Sequence, residues 1–159
     1  MTPRTISRLA VTIALIAAPI AAHAQLSQQE RAVTAAVDRR NAESLALLER
    51  IVNINSGTLN FAGVRRVGAV LRAELDALGF TTSWVEGAPF KRAGHLVAEH
   101  PGVGPKILLI GHLDTVFEPS SPFQKYERLN DSTAKGPAII DMKGGDVIIV
   151  GALRALSDA

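Results

Sequence analysis

The sequence predicts an α/β fold in which a mixed sheet is flanked by helices. Two helical patterns come first, short strand patterns follow, and a last helical pattern ends the 159-residue chain. Helices are indicated by apolar residues at three- and four-residue steps, and strands by short apolar runs between turns. No internal repeat and no long low-complexity segment interrupts this order.

The two N-terminal helices are predicted from capping residues and periodicity. Ser27 and Glu30 stand at the spacing of a capping box, in which each side chain binds the other residue's backbone amide. The first helix is expected to run from there to Val52, either continuous or broken near Asn41. The second has an apolar face and then a glycine where a left-handed cap is typical: Val64, Val67, Leu71, Leu75, Leu78 and Gly79.

The strands and the last helix follow between turns that contain glycine and proline. Three strands are expected over 80–85, 94–99 and 106–111, the last of them a buried apolar run. A short hairpin is predicted to turn at Asn130-Asp131, and a helix from about 142 to 156 ends the chain.

Two short motifs carry the chemistry. Gly-His112-Leu-Asp114-Thr-Val follows the third predicted strand, and Gly-Pro-Ala-Ile-Ile-Asp141-Met-Lys-Gly-Gly lies about thirty residues further on. A neutral imidazole and carboxylates are suitable ligands for a borderline metal such as zinc. On an extended chain His112 and Asp114 point the same way, so Asp114 is able to fix the tautomer of the ring.

Each of these residues also has an ordinary structural interpretation. Asp114 capping His112 could serve stability alone, and Asp141 before a helix could be an N-cap. Lys143 is interpreted as a solvated or structural cation, and Asp146 in the first turn of the last helix compensates the helix dipole. The presence of both motifs in one chain favours the metal hypothesis.

Together the motifs resemble the signature of the zinc metallopeptidases that include glutamate carboxypeptidase, aminoacylase, acetylornithine deacetylase and succinyl-diaminopimelate desuccinylase. The resemblance extends weakly from about Leu45 to the end of the chain. It implies that His112 is a terminal metal ligand, that Asp141 bridges two zinc ions, and that Asp114 is the catalytic-site residue that orients His112. Cobalt or manganese is an alternative metal. Ala138 departs from the pattern, which usually has glycine there.

The resemblance also implies parts that residues 25–159 do not contain. Family members have a Glu-Glu pair that supplies a general base and a ligand, a further acid and a distant His, all C-terminal to the bridging Asp. This sequence ends eighteen residues after Asp141. We therefore expect 25–159 to be the N-terminal portion of a two-zinc aminopeptidase/carboxypeptidase-like catalytic domain, without the dimerisation domain. A homodimer is expected only of a full-length protein.

The implied activity is hydrolysis of a small peptide or an N-acyl amino acid by water activated between two zinc ions. The alternative is a catalytically inactive exported α/β domain that retains a relic metal half-site. Cysteine chemistry is excluded because the chain has no cysteine. A Gly-x-Ser-x-Gly elbow and a phosphate-binding loop are also missing from the sequence.

Residues 1–24 are predicted to be a cleaved signal peptide. Arg4 and Arg8 precede an apolar stretch, and a small-x-small tripeptide ends at Ala24. The stretch is interrupted by Pro19 and is shorter than the roughly 20 residues that span a bilayer, which argues against a stable membrane anchor. A periplasmic or secreted protein is expected.

The charge balance argues against a nucleic-acid partner. The chain has 17 Lys and Arg against 15 Asp and Glu, a formal net charge of +2. Loss of Arg4 and Arg8 with the signal peptide makes the two counts equal, and nucleic-acid binding would need a clustered basic surface.

Overall fold

The structure is a computed structural model that describes residues 25–159. The predicted signal peptide lies outside the described residues. Within them, no helix is long and apolar enough to cross a membrane. The helices are α1 (Gln28–Val52), α2 (Phe61–Ala77) and α3 (Gly144–Asp158), and the strands are β1 (Thr81–Glu86), β2 (Gly94–Glu99), β3 (Glu127–Arg128) and β4 (Ala134–Lys135).

The caps of the first two helices agree with the prediction. The Ser27 amide donates to Glu30 Oε2 at 2.6 Å, and the Glu30 amide donates to Ser27 Oγ at 3.2 Å, which completes the capping box. Helix α1 is continuous through Asn41, so the broken alternative is wrong. Asn60 caps α2, and Gly79 follows it with φ +82°, a left-handed conformation that glycine adopts without strain.

The hydrophobic core lies between the three helices. Helix α3 packs mainly against α1, and the β1–β2 ladder packs on α2. The predicted apolar face of α2 is confirmed, because its central residues are buried there. The buried core residues are Leu47, Ile51, Ile54, Val67, Val70, Leu71, Val147 and Val150.

The strands form two separate antiparallel pairs. In the first, Thr81 pairs with Glu99 and Glu86 with Gly94. The second is the short β3–β4 pair, which confirms the hairpin about Asn130-Asp131. The α/β class is confirmed, but the single mixed sheet is wrong for residues 25–159, where the one parallel pairing is an isolated bridge between Gly57 and Thr115.

The third predicted strand, over 106–111, is also wrong for the described residues. This segment forms no ladder with another part of 25–159. Ile107 is 85% exposed and Ile110 is 76% exposed, whereas the prediction made them buried. A strand exists only where a neighbour accepts and donates its backbone hydrogen bonds, and periodicity contains no information about that neighbour.

Candidate metal site

Helix α3 begins later than predicted, and this places Asp141 outside the helix. A π-type turn, Ile139–Lys143, precedes α3, and within it Asp141 has φ −129° and ψ 93°. Since Lys143 takes the N-cap position of α3 without a side-chain cap bond, the N-cap interpretation of Asp141 is wrong. The extended backbone instead directs the Asp141 carboxylate, which is 81% exposed, toward the His112 motif.

The structure brings His112 and Asp141 together although 29 residues separate them. The imidazole Nε2 lies 2.8 Å from Asp141 Oδ1. The other ring nitrogen, Nδ1, lies 3.1 Å from the backbone oxygen of Asp114 and 3.4 Å from its carboxylate Oδ1. All three predicted site residues therefore meet at one place, with Asp114 on the ring nitrogen that faces away from Asp141.

Thr58 joins this group and was missed at the level of sequence. Its hydroxyl donates to Asp114 Oδ2 at 2.6 Å across a separation of 56 residues. The segment around Thr58 contains Asn, Ser, Gly and Thr, which predict only a loop. A threonine in such a loop gives no signal of a long-range partner.

The two carboxylates change the protonation of His112. Partial burial lowers its pKa, but the hydrogen bonds with Asp141 and with the Asp114 backbone, helped by both negative charges, raise it above the ordinary value. With a proton on each nitrogen the ring donates to both aspartates. A metal on Nε2 has to replace one of these protons, so metal binding at this site weakens as the pH falls.

The residues present fit part of a zinc site. Two ligands of a tetrahedral zinc ion lie about 3.3 Å apart for metal–ligand distances of about 2.0–2.1 Å. His112 Nε2 and Asp141 Oδ1 are 2.8 Å apart, so the two atoms would have to move apart by about half an ångström to admit an ion. Within 25–159, no cluster of three or more His, Cys, Asp or Glu residues could hold a metal. His112 and Asp141 are thus two candidate ligands, fewer than the three or four protein ligands of an ordinary zinc site.

Lys143 keeps one of its two predicted roles, and Asp146 is more buried than its predicted role requires. Lys143 is completely buried and its amine donates to the backbone oxygen of Ile54 at 2.7 Å, so the structural interpretation holds and the solvated one is wrong. Burial lowers its pKa to about 8, opposed by the charge of Asp146. Asp146 is itself buried, and its Oδ2 has no hydrogen-bond partner in the described part of the chain. Compensation of the helix dipole does not require this burial, so that interpretation of Asp146 is incomplete.

Ala138, the departure from the family pattern, lies at the start of the turn that carries Asp141. Its φ of 63° and ψ of 13° are left-handed, and its methyl group is buried. A left-handed conformation costs an L-residue about 1–2 kcal/mol. Glycine would adopt it without this strain, so the structure gives a physical reason for a glycine at this position.

We expect Ala138→Gly to be about 1–2 kcal/mol more stable than the matched variant Ala155→Gly. Both replace a buried alanine, so both lose a methyl contact and gain unfolded-chain entropy. Only Ala138→Gly also relieves a left-handed backbone, because Ala155 lies within α3. Urea unfolding of the two variants measures the difference, and equal destabilisation would contradict strain at Ala138.

The fold and the site agree with the pattern that the motifs predict. The α/β chain places His112 between Asp114 and Asp141, with one aspartate at each ring nitrogen. No protein-family model matches the chain. Over 155 residues, 97% of this chain, it is 31% identical to carboxypeptidase G2 of Pseudomonas sp. (strain RS-16).

This homology confirms the resemblance for the stretch that it matches: over 97% of its length the chain is similar to part of a carboxypeptidase. The match is longer than the stretch from about Leu45 that the motifs indicated. The chain spans 37% of the length of carboxypeptidase G2.

Proposed function

We propose that the chain is part of a metal-dependent hydrolase, a glutamate-carboxypeptidase-like peptidase or amidase that cleaves a small peptide or an N-acyl amino acid. The observation that carries the proposal is the 2.8 Å approach of His112 Nε2 to Asp141 Oδ1, with Asp114 on the opposite ring nitrogen. The homology to a carboxypeptidase supports it. Export through residues 1–24 belongs to the same proposal.

In this mechanism each residue has one task. His112 and Asp141 would hold the metal, and Asp114 would keep a proton on His112 Nδ1 so that Nε2 is free to bind the ion. Zinc, when bound, supplies a Lewis acid that polarises the amide carbonyl and lowers the pKa of water. The chain spans 37% of carboxypeptidase G2, and we propose that a longer form of the protein supplies the general base, the remaining ligands and any second-ion site.

Calorimetric zinc titration of the whole 159-residue chain tests this function. We expect weak binding that both His112→Ala and Asp141→Ala abolish, because each removes one of two protein ligands and zinc sites ordinarily have three or four. The matched controls are His95→Ala, a histidine in β2, and Asp131→Ala, an exposed aspartate in the β3–β4 turn. Equal losses in the controls, or no binding by the unsubstituted chain, would contradict a preformed half-site.

A catalytically inactive exported domain with a relic half-site is the second candidate. It is favoured by one observation, namely that residues 25–159 offer two clustered ligands rather than three. The two functions predict different behaviour once zinc is bound. Amide hydrolysis by a longer form of the protein that His112→Ala abolishes supports the enzyme, and zinc binding without hydrolysis supports the relic.

A further inference from the structure

The loop 53–60 between α1 and α2 is fastened to the His112 motif through backbone bonds. The Thr115 amide donates to the Ser56 oxygen at 2.9 Å, and the Thr58 amide donates to the Thr115 oxygen at 3.0 Å. These bonds form the parallel bridge at Gly57. The loop therefore runs directly beside the segment that carries His112 and Asp114.

Gly57 allows this close approach. A Cβ atom at this position would lie 2.5 Å from Glu118 Oε2 and 2.8 Å from Glu118 Cα, too close for any side chain. Glu118 in turn accepts a hydrogen bond from the Leu59 amide at 3.2 Å. The loop and the segment after the motif thus contact each other on both sides of Thr58.

Asparagine side chains hold the loop in one conformation. Asn55 Nδ2 donates to the Phe117 oxygen at 2.8 Å and to Gln124 Oε1 at 2.7 Å. Asn60 Nδ2 donates to Asn55 Oδ1 at 2.9 Å. Because the loop makes this many internal and long-range hydrogen bonds, its backbone is fixed. A residue that positions a functional group needs such a fixed backbone.

We propose that Thr58 is a positioning residue of the metal site, an inference that rests on the function proposed above. Its hydroxyl donates to Asp114 Oδ2 at 2.6 Å, which fixes the rotation of the carboxylate and leaves Oδ1 facing His112 Nδ1. The Asp114 backbone oxygen, 3.1 Å from Nδ1, accepts the proton of that nitrogen, and the carboxylate beside it adds negative charge. Asp114 thereby keeps the proton on Nδ1, and Nε2 is left to bind the metal. Groups that hydrogen-bond a metal ligand directly typically change metal affinity 10- to 100-fold when removed, and Thr58, which acts through Asp114, is expected to reach only the lower end of that range.

The alternative is that Thr58 only stabilises the loop, and a matched hydrogen bond elsewhere separates the two roles. Thr82 Oγ1 donates to Asp76 Oδ1 at the same distance, 2.6 Å, but joins β1 to the end of α2. Thr82→Val therefore removes the same type of bond outside the site. Thr58→Val removes the bond to Asp114 without changing shape, and Thr58→Ser retains the hydroxyl.

Two readouts on the whole chain decide the question. Zinc calorimetry is expected to show about tenfold weaker binding for Thr58→Val, and wild-type affinity for Thr58→Ser and Thr82→Val. Nitrogen-15 NMR of His112 without metal, at a pH well above about 6.5, reports the tautomer of the neutral ring. Thr58→Val is expected to shift the population from Nδ1–H toward Nε2–H, where Asp141 accepts.

The outcomes separate the two proposals. An unchanged tautomer in Thr58→Val, or the same shift in Thr82→Val, overturns the role of Thr58, even if zinc binds. If the unsubstituted chain binds no zinc, the proposed function fails, and the tautomer measurement still decides whether Thr58 positions His112 through Asp114.

Discussion

Replacing Asp146 with asparagine is expected to remove most of the decline in folding stability between about pH 5 and pH 7. Burial raises the pKa of the Asp146 carboxyl from 3.8 to about 7, against the opposing charges of His112 and Lys143. Between these values the folded chain holds a proton that the unfolded chain has released, so the free energy of unfolding falls as the pH rises. A shift of about three pKa units corresponds to at most about 4 kcal/mol.

Other groups act mainly outside this window. The pKa values of Glu30, Glu86 and Asp158 are lowered by hydrogen bonds, so the stability that they contribute is lost only as the pH falls below their ordinary values of 3.8–4.5. The raised pKa of His112 makes its contribution complete below about 6.5 and lost as the pH rises through the folded value. A smaller decline above about pH 6.5 should therefore remain in Asp146→Asn.

Urea unfolding at a series of pH values measures this effect. The control is Asp131→Asn, which changes a fully exposed carboxylate in a turn and should keep the wild-type slope. Asparagine has nearly the shape of Asp146 and carries no charge at any of these pH values. A wild-type slope in Asp146→Asn would show that the buried carboxyl does not titrate in this range.

Placing lysines at positions 108 and 110 is expected to weaken self-association of the chain by at least about tenfold. Segment 107–110 is entirely apolar, its side chains are 52–85% exposed, and it has no strand partner within the described residues. A hydrophobic segment with free backbone groups pairs readily with another copy. The unsubstituted chain should therefore associate through this segment at about micromolar concentration, a contact distinct from the homodimer expected of a full-length protein.

Sedimentation velocity over a concentration series compares the chain with the double variant Leu108→Lys/Ile110→Lys. Ile148→Lys is the matched control, because Ile148 is 72% exposed but lies in a regular helix whose backbone bonds are already made. If Ile148→Lys dissociates the oligomer equally, exposed apolar area alone drives association. A monomeric unsubstituted chain would contradict the prediction outright.

Local features were predictable from the sequence because their causes lie within a few residues. The Ser27–Glu30 capping box, the buried face of α2 and the left-handed Gly79 each depend on spacing and backbone preference alone. The last helix was predicted two residues early at its start. The sequence gives no sign that Met142 lies outside the helix, in the same non-helical turn as Asp141.

The candidate site was predictable only in part. The motifs indicated His112, Asp114 and Asp141, and their assigned roles stay predictions that the zinc titration tests. The role of Thr58 could not be predicted, because its hydrogen-bond partner Asp114 lies 56 residues away and this contact depends on the path of the chain between them. Lys143 was assigned to solvent or structure from its charge, whereas its complete burial follows from the packing of α3 against α1.

The sequence by itself determined the α/β class, the helices and the candidate ligand residues, since propensity, capping and ligand chemistry belong to individual side chains and short spacings. The tertiary structure alone decided that segment 106–111 pairs with no strand among residues 25–159, that Asp146 is buried, and that His112 Nε2 lies 2.8 Å from Asp141. Each of these depends on which distant backbone lies alongside, and that choice results from packing the whole core at once.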